Sequence, residues 1–123
     1  MRDSEVSPWA SIVGPCYTSK SCADELGLTV PGLVRATQEM RALRLTTRDG
    51  IELHPSFQIR DRQLLPGLEQ VLLILQTGLG DPWTWAQWLN AEVDGRRHVN
   101  KLWAGNLEVV LREARHDAWA WRS

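Results

Sequence analysis

The stretch from Thr18 to Phe57 constrains the fold most, because two helix starts, a glycine break and a hairpin turn follow one another within it. Ser19 or Ser21 can cap a short first helix that carries Ala23 and Leu26 on its inner face. Gly27 ends that helix, since glycine enters the left-handed conformation without a steric cost. Thr29 caps a second helix and Pro31 falls in its first turn, where no intrahelical donor is lost. Leu33 then faces back towards the first helix. Further on, Leu43 and Leu45 alternate with polar residues, Asp49-Gly50 is a hairpin turn, and Ile51 and Leu53 alternate again. This order predicts a helix-turn-helix followed by a two-stranded wing.

After Arg60 to Gln63, a charged turn, the hydrophobic period becomes helical. Leu65, Leu68, Val71, Leu72 and Leu75 line one face, with Pro66-Gly67 as a first turn and Gly78 and Gly80 as the stop. Asp81 caps the next helix, with Pro82 at its first position and Trp85, Trp88 and Leu89 on one side. Asp94-Gly95 marks a turn, His98 to Trp103 a short helix, and Asn106 to about Trp121 a last helix. The expected fold is mainly α with a small antiparallel β-hairpin wing. A winged helix-turn-helix region at 1–60 precedes a helical dimerisation or partner-binding region at 61–123. Residues 1–14 combine a polar start with an apolar patch of Trp9, Ile12 and Val13, which would pack on the helix-turn-helix or on a second copy.

Net charge is −1, with seven basic and seven acidic side chains in residues 1–60 and seven and eight in 61–123. Tight binding to nucleic acid through net charge alone is therefore excluded. A local cluster is the alternative: Arg35, Arg41, Arg44 and Arg48, with Glu39 the only acid among them. On the second helix, Thr29, Val30 and Pro31 would enter a major groove first, and Arg35 and Gln38 would reach base edges. Arg41, Arg44 and Arg48 suit phosphates, which set affinity rather than sequence preference. Val30 and Pro31 can touch a thymine methyl but cannot make bidentate hydrogen bonds.

Catalytic chemistry has no residues to carry it. The sequence holds no glycine-rich phosphate loop, nucleophile elbow or zincin motif. Cys16 and Cys22 match no metal or redox spacing, and His54, His98 and His116 have no partner at ligand spacing. A non-enzyme without cofactor or metal is expected. It would be cytoplasmic, with neither a signal peptide nor an apolar run able to span a bilayer. The seven Trp stand out against one Phe and one Tyr. Trp85, Trp88, Trp103 and Trp121 fit a core. Trp83 and Trp119 fall off the apolar stripes and suit an interface. The Trp-Ala-Trp-Arg ending, with Trp119, Trp121 and Arg122, would anchor a partner, or Trp121 would fold back onto Trp88 as core.

Several segments carry a family resemblance: Gly14-Pro15-Cys16-Tyr17-Thr18, Leu26-Gly27, Thr47-Arg48-Asp49-Gly50, Pro55-Ser56-Phe57-Gln58, Leu65-Pro66-Gly67-Leu68 and Trp83-Thr84-Trp85-Ala86-Gln87-Trp88-Leu89-Asn90. In this order they resemble small actinobacterial winged helix-turn-helix proteins of the antitoxin type. The second half is similar to the toxin-binding domain of Xre-type antitoxins, whose RES-domain partners degrade NAD. It is also similar to mycobacterial winged-helix proteins phosphorylated by Ser/Thr kinases. The resemblance implies a homodimeric transcriptional regulator that binds double-stranded operator DNA, represses its own operon and neutralises a cognate toxin. The alternatives are a stand-alone, kinase-regulated transcription factor and an interaction module with a vestigial helix-turn-helix.

Overall fold

The fold is taken from a computed structural model, which describes residues 13–123. Trp9 and Ile12, expected at a dimer contact, lie outside the described residues. The chain is mainly helical, with small antiparallel sheets.

Helix α1 spans Ser19–Leu26 and α2 spans Val30–Gln38. The cap of α1 is Thr18 rather than Ser19 or Ser21: its hydroxyl accepts from the Ser21 amide at 3.1 Å, and both serines lie inside the first turn. Gly27 closes α1 at φ 72°, as expected, and its amide bonds back to Asp24. Thr29 caps α2 through the Gly32 amide at 3.1 Å. Cys22 and Ala23 of α1 and Leu33 of α2 form a small core, onto which Tyr17, Leu26 and Ile59 pack.

The expected two-stranded hairpin belongs to a three-stranded sheet. β1 (Cys16–Tyr17), β2 (Leu45–Thr46) and β3 (Glu52–Pro55) form one antiparallel sheet in the order β1-β3-β2. Two residues of β1 are too short to show any alternation, so the sequence carried no strand signal there. Gly50, at φ 88°, turns the β2–β3 hairpin. A 3₁₀ turn at Ser56–Gln58 follows β3. The charged turn is itself a hairpin, between β4 (Ile59–Arg60) and β5 (Gln63–Leu64). A third hairpin joins β6 (Glu92–Val93) to β7 (Arg96–Arg97) across Asp94-Gly95.

Helix α3 covers Leu68–Gly78, α4 Pro82–Asn90, α5 His98–Trp103 and α6 Leu107–Arg122. Leu65 and Pro66-Gly67 precede α3 rather than forming its first turn, because Gly67 takes φ 80°. A β-carbon on Gly67 would meet Leu107, and one on Gly78 would meet Ala118, so α3 and α6 run parallel. Among the described residues this pair makes the most extensive helix contact. One core crosses residue 60: Val13, Leu43 and Leu45 bury together with Leu68, Leu72, Leu75, Trp85, Trp88 and Val110. Val13 is 4% exposed and packs within this core.

Candidate nucleic-acid interface

Helix α2 has two faces. Leu33, Ala36 and Thr37 are buried, whereas Thr29, Val30, Pro31, Arg35 and Gln38 are exposed. The inward face follows from the 3.6-residue period, which puts Leu33, Ala36 and Thr37 on one side. The outward face therefore holds the residues the sequence nominates for base edges. At the hairpin tip Arg48 is exposed, beside a turn in which Thr47 accepts the Ile51 amide at 2.9 Å.

The arginine cluster is less uniform than its spacing suggested. Arg41 pairs with Glu39 at 2.7 Å, and Arg44 pairs with Glu52 at 3.3 Å across the hairpin. Glu52 is thus a second acid in the cluster, brought in by the β2–β3 register that sets Thr46 against Glu52. Among the described residues, neither Arg35 nor Arg48 has an acidic partner.

The sheet is tied to α1 by a buried histidine that sequence reading left unassigned. His54 is 2% exposed, and its Nε2 lies 3.0 Å from Ser19 Oγ. The Ser19 hydroxyl also reaches Glu52 at 3.5 Å. Burial pushes the His54 pKa down, Glu52 works against that, and Arg44 adds to it.

The expected partner-binding residues do not share one environment. Trp119 is 59% exposed. Arg122 donates to the Thr77 hydroxyl at 2.9 Å. Trp121 is half-buried against the main core and shares a shallow cavity with Trp88. Trp83 is half-buried, and its indole donates to the Thr46 carbonyl at 3.1 Å, joining α4 to β2. Trp103 donates to the Phe57 carbonyl at 3.0 Å beneath the Arg60 guanidinium.

A second polar cluster sits between α4, α5 and α6. His98 and His116, remote in sequence, line one cavity of about 350 Å³ with Val93, Arg112, Glu113 and Asp117. His98 stacks on Trp88 with ring centroids 3.6 Å apart. Its Nδ1 lies 2.8 Å from the Trp88 carbonyl, so Nδ1 carries the proton of the neutral ring. Nε2 then turns a lone pair towards Glu113 Oε1 at 3.3 Å, without a hydrogen bond. The ammonium of buried Lys101 holds both Glu113 oxygens at 3.2 Å. Burial would raise the pKa of Asp117, but hydrogen bonds from Trp88 and His116 outweigh it and bring the value down. No group of three or more His, Cys, Asp or Glu among the described residues is arranged to hold a metal. Burial raises the Cys22 thiol to about 11, which keeps it protonated, and desolvation also raises Cys16, though that thiol is exposed.

For His98, burial lowers the pKa most, and Lys101 adds to this against the Trp88 carbonyl, Glu113 and Asp117. Both His54 and His98 thus hold pKa values in the folded chain below that of unfolded histidine, which titrates near about 6.5. The stability this contributes is complete above the unfolded value. It is lost as pH falls through the lowered folded values, because the unfolded chain takes up protons first. Urea midpoints should drop as pH falls below about 6.5, the unfolded histidine value. The drop should be smaller in His54→Asn and in His98→Asn. An equal drop in the wild type and both variants would assign the acid sensitivity to other groups.

No protein-family model matches the chain, and no curated protein sequence does. Among solved structures, the chain is similar to the NMR structure of Rv2175c. The TM-score is 0.71 at 21% identity, covering 93% of this chain and 85% of that one. The likeness is one of fold. The arrangement of helices and small sheets therefore recurs in a chain that differs at about four positions in five. Among the described residues, no helix is long and apolar enough to cross a membrane.

Proposed function

We propose that this chain is a DNA-binding transcriptional regulator in which α1 and α2 form a helix-turn-helix and the β2–β3 hairpin its wing. One observation carries the reading. The outward face of α2 exposes Thr29, Val30, Pro31, Arg35 and Gln38 together, and neither Arg35 nor the wing-tip Arg48 is neutralised by an acid among the described residues. Double-stranded DNA offers the two things such a surface can use, phosphates and a groove as wide as a helix. Two copies about a two-fold axis would double the basic surface, which a lone unit needs for useful affinity.

Titration of a labelled DNA duplex across salt concentrations tests the reading. Arg48→Ala should reduce the salt dependence by about one unit of slope. Arg44→Ala should change it less, because Glu52 already compensates that charge. Arg35→Ala should narrow the gap between operator and mixed sequence. Binding that ignores all three substitutions would rule this surface out.

Within this reading the regulator is an antitoxin. It represses its own operon, and its C-terminal helix engages a RES-type toxin through Trp119 and Arg122. A bulky indole left 59% exposed beside the chain end supports that part. Trp119→Ala should leave folding and DNA binding intact and abolish protection of cells from the cognate toxin. Full protection by the variant would count against this role for Trp119.

A further inference from the structure

The β4–β5 hairpin is built around a two-residue turn, Asp61-Arg62. Both residues have left-handed backbones, at φ 54° and 63°. Two consecutive positive φ values define the tight hairpin turn that Asn-Gly or Asp-Gly forms without strain. Asp tolerates its position, but arginine gains nothing locally from the left-handed region and pays a steric cost there. Glycine would be the unstrained choice at 62. Strain held by one exposed residue directs attention to what its side chain does.

The side chain leads to the helix pair. Ile59, at the start of this hairpin, packs on the small core of Cys22, Ala23 and Leu33, which docks the hairpin against α1 and α2. A β-carbon built on Gly27 would lie 3.9 Å from Nη2 of Arg62. The guanidinium therefore rests against the turn that joins α1 to α2, two residues before the Thr29 cap. Arg62 is exposed and forms no ion pair with another described residue. The nearby acids do not engage it: Asp24 is held by Lys20 at 3.1 Å, and Glu25 and Asp61 form no ion pair among the described residues. Its neighbour Arg60 is occupied differently, lying over the Trp103 ring at 4.7 Å.

We infer that Arg62 is a further DNA contact, a phosphate-binding side chain that the second hairpin delivers to the α1–α2 turn. The inference rests on the DNA-binding reading above. On the α2 side of the interface, the sequence nominated Arg41 and Arg44 for phosphates, and both are compensated by acids. Arg62 supplies an uncompensated cation beside the same two helices. A guanidinium suits the task, since it presents several donors in a fixed plane and stays charged at any working pH.

A structural role competes with this one. A cation near the carbonyl end of α1 also favours that helix. Arg62→Gly separates the two, because it removes the charge and relaxes the backbone at once. The probe is a labelled duplex of mixed sequence, titrated with the full chain between about 50 and 200 mM salt. Arg62→Gly should bind about tenfold more weakly at low salt and lose about one unit of salt slope. Arg62→Lys should keep the slope, and thermal melting should show Arg62→Gly no less stable than wild type. If Arg62→Gly retains the wild-type slope while Arg48→Ala loses its unit, this inference fails and the DNA reading stands. If Arg62→Gly only melts earlier and binds DNA with the wild-type slope, Arg62 is a helix-end support. If the wild-type chain does not bind the duplex in this range, both readings fall together.

Discussion

Gln58→Ala is expected to lower the free energy of unfolding by about 3–5 kcal/mol, from the sum of backbone groups it strands. Gln58 is fully buried, and its amide works as a piece of β-ladder. Oε1 accepts from the Leu43 amide at 2.8 Å, while Nε2 donates to the carbonyls of Leu43 at 2.9 Å and Pro55 at 3.1 Å. Leu43 precedes β2 and has no strand partner for these groups, so the side chain takes the place of a neighbouring strand. Truncation leaves one buried N–H and two carbonyls unmatched, each costing roughly 1–3 kcal/mol if no water reaches it. A typical domain has only about 5–15 kcal/mol in total, so the variant should lose a large share of its stability. Urea unfolding monitored by Trp fluorescence reads the shift. Gln58→Glu should fare no better, because it keeps the acceptor but removes the donor and buries a charge. A loss below about 1 kcal/mol in Gln58→Ala would mean that the region relaxes to find other partners.

The second large effect lies where α3 meets α6. Gly78→Ala adds one methyl group, and helix propensity alone would make it stabilising by about 1 kcal/mol. The added carbon would stand 2.5 Å from the Ala118 carbonyl oxygen and 2.7 Å from its α-carbon. Both are backbone atoms, so no rotamer change relieves the clash and the two helices must separate. Overpacking of this kind costs about 1–3 kcal/mol or more, which outweighs the propensity gain. Gly78→Ala should therefore be destabilised by about 2 kcal/mol, and Gly78→Val by more. Because the obstacle is the backbone of Ala118, combining Gly78→Ala with Ala118→Gly should not restore stability. Recovery in the double variant would show that the crowding involves the Ala118 methyl group instead.

These two sites differ in how readable they were. Helix boundaries depend on near neighbours, and here the sequence was informative. Thr29 and Asp81 cap the helices they precede, Gly27 ends α1, and Asp94-Gly95 turns a hairpin. Each feature needs only a side chain or a positive φ within a few residues. The apolar stripes were legible for the same reason: the helical period alone puts Val71, Leu72 and Leu75 on one face. The first cap was not: the sequence pointed to Ser19 or Ser21, whereas the backbone path selects the adjacent Thr18 hydroxyl.

Tertiary structure alone decided what depends on distant partners. Thr46 stands opposite Glu52, which puts the Glu52 carboxylate within 3.3 Å of Arg44 and divides the arginine cluster into compensated and free members. Parallel alignment of α3 and α6 makes Gly78 a crossing point rather than only a helix stop. His98 and His116, eighteen positions apart, reach one cavity because α5 packs on α6. Arg62 lies against Gly27 because a tight turn and the burial of Ile59 carry its hairpin there. Local order is set by the chain's own short-range sterics and hydrogen bonds. Which charges meet across the fold is set by packing of the whole core, a property of no single segment.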